Sequence, residues 1–227
     1  MILAAHTPNY LPDLSFFYKM SQADVFVFVD NLRQGKRSLT NRAKIKTARG
    51  TQWLTVPIVK KGRHGQSMNK VHILTSRHWQ HKHRSSLMVN YKYAAYFEKY
   101  MDFFEDLYCY SWGSLIDLNL KIINFFVRSF HIKTETVLLS HLNIEGNGRE
   151  LLVNLLKHLN CRRYLCEADY NNYLNTVEFS HHGLSVSYFP KKFSSYYQLF
   201  GEFVPGLSAV DLLFNEGEEG FKLLTNV

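Results

Sequence analysis

The chain has 227 residues, 46% of them hydrophobic and 20% charged, with a formal net charge of +8. Such a length and composition exclude a disordered or fibrous chain and leave room for one large α/β domain or two small ones, each with a proper core. The charge is lopsided, since residues 1–92 hold 16 Lys/Arg against 3 Asp/Glu (+13) and residues 93–227 hold 11 against 16 (−5), which excludes a uniformly basic nucleic-acid coat.

Residues 2–5 form a short apolar run and predict a buried first strand. Pro8 and Pro12 then enforce a turn, and Asp13 is placed to cap a helix over 14–21. The run 25–29 (VFVFV) predicts a second strand ending at Asp30. Strand, loop, helix and strand within about 30 residues make a parallel βαβ unit with a right-handed crossover. Ligands of such sheets sit beyond the carboxyl ends of the strands. His6, Asn9 and Tyr10 follow the first strand, and Asp30, Arg33 and Arg37 follow the second, so both groups are expected to line one cleft.

Residues 31–50 carry Arg33, Lys36, Arg37, Arg42, Lys44, Lys46 and Arg49, and no acid occurs between Asp30 and Glu98. Like charges repel unless interspersed or bound, so this stretch reads as a cationic insert that receives an anion between strands at 25–29 and 53–59. Arg37 and Arg42, with Asn41, are the candidate phosphate or carboxylate ligands, because a guanidinium forms two parallel bonds to such groups; Lys44 and Lys46 add field. A solvated basic loop is the alternative.

Residues 71–74 suggest one more strand, and a helical region opens at 76. His78, His81 and His83 do not share one helix face and have no acid or cysteine beside them, so no metal is expected. KGRHG lacks the ending of a P-loop, and no GxSxG, HExxH or GxGxxG occurs, so no cofactor is expected either. Phe97, Tyr100, Met101, Phe104, Leu107 and Tyr108 form a helical stripe, and Ile116, Leu120, Ile123 and Val127 a second, expected to pack as an antiparallel pair. Beyond them lie a strand at 136–140, a leucine-rich helix opened by an Asn147–Glu150 capping box, a strand at 163–166, a helix at 172–182 and a strand at 184–189. A second capping box, Ser208 to Asp211, opens a final helix that Gly217 stops, with Asp211 read as a capping carboxylate. Tyr196, Tyr197 and Gln198 offer rings and an amide to a sugar or base. The expected fold is α/β: a mostly parallel sheet built from βαβ units, in a single domain over 1–227 with a helical insert at about 76–131. Cys109, Cys161 and Cys166, without metal spacing, read as reduced thiols. With no basic leader and no apolar run of about 18 residues, the expected location is cytoplasmic.

The segments HTPNYLP, ADVFVFVDN, KRSLTNRAKIK followed by WLTVPI, NYKYAAYF and YYQLFGEFVPGLSAVDLLFNEG, in that order from Ile2 to Gly217, resemble the WbqC-like family. His6 stands where that family commonly has Gln, and Asp13 where it commonly has Trp. The resemblance implies a link to bacterial surface-polysaccharide (O-antigen) biosynthesis and an acyl or aminoacyl (glycyl-type) transfer to a nucleotide-linked amino sugar, from a donor it does not specify. On that reading His6, Asn9 and Asp30 are the catalytic candidates, with His6 as general base because an imidazole titrates near neutrality. Tyr10, Arg37, Asn41, Arg42, Lys44, Tyr197 and Gln198 would bind the anionic substrate. His6 also reads as a structural histidine, and Asn9 as the holder of its turn. Two other functions stay open: a nucleic-acid binder using the basic 31–92 region, with Tyr91, Tyr93 and Tyr96 to stack bases, and a non-catalytic component of a polysaccharide pathway.

Overall fold

A computed structural model of the chain describes residues 1–32, 39–59, 66–75, 78–168, 176–189 and 193–225, which fall into two compact units. The first unit comprises Met1–Thr7, Ser15–Asn31 and Ile132–Phe193. It holds β1 (Ile2–His6), most of α1 (Leu14–Ser21), β2 (Val25–Phe28), β5 (Glu135–Leu138), α5 (Gly148–His158), β6 (Arg163–Glu167), α6 (Thr176–His181) and β7 (Ser185–Phe189). The five strands form one parallel sheet in the order β5-β2-β1-β6-β7, as the βαβ reading predicts. Its central strands are apolar throughout because both faces are covered. On one face Leu3, Ala5, Val25 and Val27 pack with Leu151, Leu155 and Leu156 of α5. On the other, Phe26 meets Phe16 of α1 edge-on at 5.2–5.4 Å spacings that continue to Phe17.

The second unit comprises Pro8–Leu14, Leu32–His131 and Ser194–Val227. Here β3 (Arg42–Thr47) and β4 (Gly50–Thr55) make an antiparallel hairpin, separate from the parallel sheet. This corrects the reading of 31–50 as an insert between strands at 25–29 and 53–59, since residues 42–47 are themselves a strand paired with 50–55. The reason is the alternation RAKIK: Ala43 and Ile45 are buried, while Arg42 and Lys44 point the other way. The strand expected at 71–74 is absent too; His72 and Ile73 make only single bridges, to Ser114 and Ile58.

Helices α2 (His78–Tyr91), α3 (Phe97–Cys109), α4 (Leu115–Ser129) and α7 (Ala209–Thr225) complete the unit. The α3 stripe is buried as its spacing predicts. It meets α4 through Phe103 stacked on Phe125 at 3.7 Å, and α7 through Phe104 and Phe214 at 5.5 Å. On α4, Ile116 and Ile123 are buried as expected, but the buried face is shifted toward Leu118, Ile122 and Phe126, and Leu120 and Val127 are only partly covered. Asn119 is fully buried there, donating to the carbonyls of Pro8 (2.9 Å) and Thr40 (2.7 Å). The capping box at Asn147 does not form, for its side chain makes no capping bond. Gly217 does stop the helix opened at Ser208, with φ 67°, and a second helical stretch follows it within α7. Among the described residues no helix is long and apolar enough to cross a membrane.

Candidate functional site

The carboxyl edge of the first unit holds His6 and Asp30. Strands β1 and β2 pair in register as far as His6 and Phe28, so both residues do share that edge. The His6 Nδ1 lies 2.8 Å from the Thr7 carbonyl, which can only accept, so the neutral ring carries its proton on Nδ1 and its lone pair on Nε2. Asp30 is buried, and its Oδ1 accepts from the Ser140 amide at 2.9 Å, tying β2 to the turn after β5. Between β1 and β6 the strand order reverses direction, which is the switch point where parallel sheets take ligands. These two strands pair only at Ile2–Arg163 and Leu3–Tyr164. The Ala5 carbonyl, on the β6 side of β1, instead accepts from the buried Lys19 ammonium at 3.1 Å. Glu167 ends β6 and is also buried. Burial pushes the Cys166 thiol up, with Lys19 opposing and Glu167 reinforcing the rise, so Cys166 is no activated nucleophile.

The second unit holds the cationic site. Arg42 lies over the Trp53 ring at 4.8 Å and Lys44 at 5.6 Å, because β3 and β4 place Lys44 directly opposite Trp53. The three side chains border a small cleft with Asn9, Tyr10 and Ser208. The cleft measures about 40 Å³. That is room for roughly three waters, the size of one phosphate or carboxylate group. The Arg42 Nε is buried with no hydrogen-bond partner. A buried donor left unpaired is costly, so this nitrogen favours an incoming acceptor. Arg37 lies outside the described residues.

The other candidates here are held by the protein itself. Asn41 donates to the Val56 carbonyl at 2.8 Å. The Tyr10 hydroxyl is buried between His83 Nδ1 at 2.8 Å and the Tyr108 hydroxyl, and burial pushes its pKa well up. Burial likewise lowers His83 to about 4, against a bond to the Thr55 backbone that acts the other way. Gln198 is buried and closes its own loop on both backbone atoms of Val204. Tyr197 has an exposed side chain, and its backbone amide donates to Glu216 at 3.0 Å.

Lys46, expected to add field at the anion site, is buried and donates to the carbonyls of Gly201 and Glu202. Its charge acts on Asp211, whose oxygens accept from Tyr91 at 2.8 Å and Tyr196 at 2.9 Å. Asp211 is therefore a core carboxylate and does not cap; the cap of α7 comes from Ser208 Oγ, accepting from the Val210 amide. Trp53 escaped the sequence reading as a site residue, although its place opposite Lys44 follows from the hairpin. Among the described residues no three His, Cys, Asp or Glu converge to hold a metal ion.

The chain is 29% identical over 213 residues to the uncharacterized protein Rv1507c of Mycobacterium tuberculosis, covering 93% of this chain and 92% of that protein. No solved structure matches. The profile of the WbqC-like protein family matches residues 7–223, most of both units, and the chain belongs to that family.

Proposed function

We propose that the protein is an enzyme of bacterial surface-polysaccharide assembly that binds a nucleotide-linked amino sugar and transfers an acyl or aminoacyl group to its amine. The observation that carries the binding half is Arg42, with an unpaired buried Nε, on the border of a cleft of phosphate size, with Lys44 beside it. A guanidinium joined to an ammonium holds one phosphate group by charge-assisted bonds, which are roughly twice as strong as neutral ones. In the transfer, the amine attacks the donor's carbonyl, a C–N bond forms, the donor's leaving group departs and a base takes the amine proton. His6 is assigned that base, since its neutral tautomer has the lone pair on Nε2.

Titration calorimetry with a uridine-diphosphate amino sugar tests the binding half. Arg42→Ala should weaken binding by about 2–5 kcal/mol, as for a broken buried charge contact. Mass spectrometry of the sugar after incubation with activated acyl donors should show the N-acyl product, and His6→Gln should abolish its formation while leaving binding intact. Unchanged affinity in Arg42→Ala, or undiminished turnover in His6→Gln, overturns the corresponding assignment.

A further inference from the structure

A second cavity in the same unit lies beside β4 and α2 and measures about 490 Å³. Whole small ligands occupy cavities of roughly 300–1,000 Å³. It is bordered by Trp53, Gln52 and Leu74 on one side and by His78, Trp79 and Lys82 of α2 on another. Trp53 borders both cavities, whereas Arg42 and Lys44 border only the first. The small cleft thus has Arg42 and Lys44, and the large cavity adds Trp79 and Leu74 to the shared Trp53 ring. Trp53 and Leu74 are 47% and 46% exposed, an apolar surface left open to a flat apolar body. No acid is among the described residues that border the cavity.

The edge of β4 adds hydrogen-bonding groups. The Val56 amide bonds the Asn41 carbonyl, which fixes the alternation of the hairpin and turns the amides and carbonyls of Thr51, Trp53 and Thr55 to its outer edge. The corresponding edge of β3 is occupied, by Tyr91 on the Lys46 amide and by the Ser208 amide on the Lys44 carbonyl. On β4, His83 of α2 bonds the Thr55 backbone, so this edge faces α2 and the cavity. Trp53 therefore presents an adjacent donor and acceptor beside its own indole, and the Gln52 amide, which donates to Ser86 Oγ at 3.2 Å, borders the same cavity. A donor–acceptor pair in the plane of a strand edge, with an aromatic face for stacking, suits a heterocyclic base.

We propose that this cavity binds the nucleobase of a nucleotide whose phosphate occupies the Arg42–Lys44 cleft. The inference rests on the anion reading given above and adds where the base of the nucleotide sits. His78 and Lys82, one helical turn apart on α2, favour the anionic form of such a ligand over a neutral one.

The test is titration of uridine diphosphate, adenosine diphosphate, inorganic pyrophosphate and glucosamine into the wild-type chain, Ser86→Phe, Gln52→Ala and Arg42→Ala. Ser86 borders the second cavity and not the first, so a phenylalanine there fills the former alone. At least one nucleoside diphosphate should bind ten times more tightly than pyrophosphate. Ser86→Phe should erase that difference and leave pyrophosphate unaffected. Gln52→Ala, at an exposed position that tolerates truncation, should cost the nucleotide at least threefold and pyrophosphate nothing. Arg42→Ala should weaken both ligands. Nucleoside diphosphates no tighter than pyrophosphate overturn the base site while leaving the anion reading in place. Failure of pyrophosphate and nucleotides alike overturns both. Binding of glucosamine that Ser86→Phe abolishes, without any nucleotide preference, makes the cavity a sugar site and overturns the proposal. So does a single-stranded oligonucleotide that binds more tightly than either nucleotide and weakens steeply with salt.

Discussion

Asp211 is buried at 0% exposure with a tyrosine hydroxyl on each carboxylate oxygen, and its charge is tolerated because Tyr91, Tyr196 and Lys46 together replace water. Burial raises its pKa, and those three partners oppose the rise. Asp211→Ala would leave two hydroxyls without their acceptor and the buried Lys46 ammonium without its counter-charge, at a cost of roughly 3–5 kcal/mol. Thermal unfolding should then fall by about 6–20 °C, and Asp211→Asn, which keeps an acceptor oxygen, by less. His83 sets a pH dependence of the opposite origin. Its folded pKa of about 4 lies below the ordinary 6.5, because the ring is buried against Tyr10 and Tyr108. The unfolded chain therefore binds the extra proton first. Stability from this residue is full above pH 6.5 and is lost as the pH falls toward 4, by about 3 kcal/mol in all. Urea unfolding at pH 7 and pH 4.5 should show a smaller loss in His83→Gln than in the wild type.

At the scale of elements, the β3–β4 hairpin decides the candidate site. Its alternation sends Ala43 and Ile45 into the core and leaves Arg42, Lys44 and Trp53 together on the other face. A one-residue slip would exchange the two sets, so the buried pair fixes where the cations stand. The break in α7 is equally specific. Gly217 has φ 67°, and a Cβ there would stand 2.8 Å from the Tyr96 ring, whose own amide bonds the Phe214 carbonyl. Both the backbone and the neighbour exclude a side chain. Gly217→Ala should lose about 2–4 kcal/mol of stability, read from the midpoint of chemical denaturation.

At the scale of the molecule, neither unit is continuous in sequence: each is made of three chain segments. In the first, β2 pairs with β5 across the whole of residues 32–131, and β1 is flanked by β2 and by β6. Non-local pairing of this kind slows folding, because loop closure is required before contacts form. A fragment of residues 1–131 holds β1 and β2 without β5, β6 or the covering leucines of α5, and α3 without α7, whose Phe214 packs on Phe97 and Phe104. It should show no cooperative unfolding transition by circular dichroism, in contrast to the full chain.

For the elements with a strong period of their own, the sequence alone determined the outcome. The VFVFV run, the aromatic stripe of α3 and the β–α–β order each declare one element by its own period, so the parallel sheet and the buried face of α3 were legible. The alternation of RAKIK was equally present at 42–46, but the excess of cations across 31–50 masked it. What only the tertiary structure decided is the fate of polar side chains. Lys46 and Lys44 are both lysines of one strand, yet Lys46 reaches carbonyls from a loop more than 150 residues away and Lys44 lies over Trp53. Asp211 occupies a capping position in sequence and is claimed by Tyr91 and Tyr196 instead. A charged group takes whichever partner stands within about 3 Å. For these residues the partners come from distant segments, and only the packing of those segments brings them within reach.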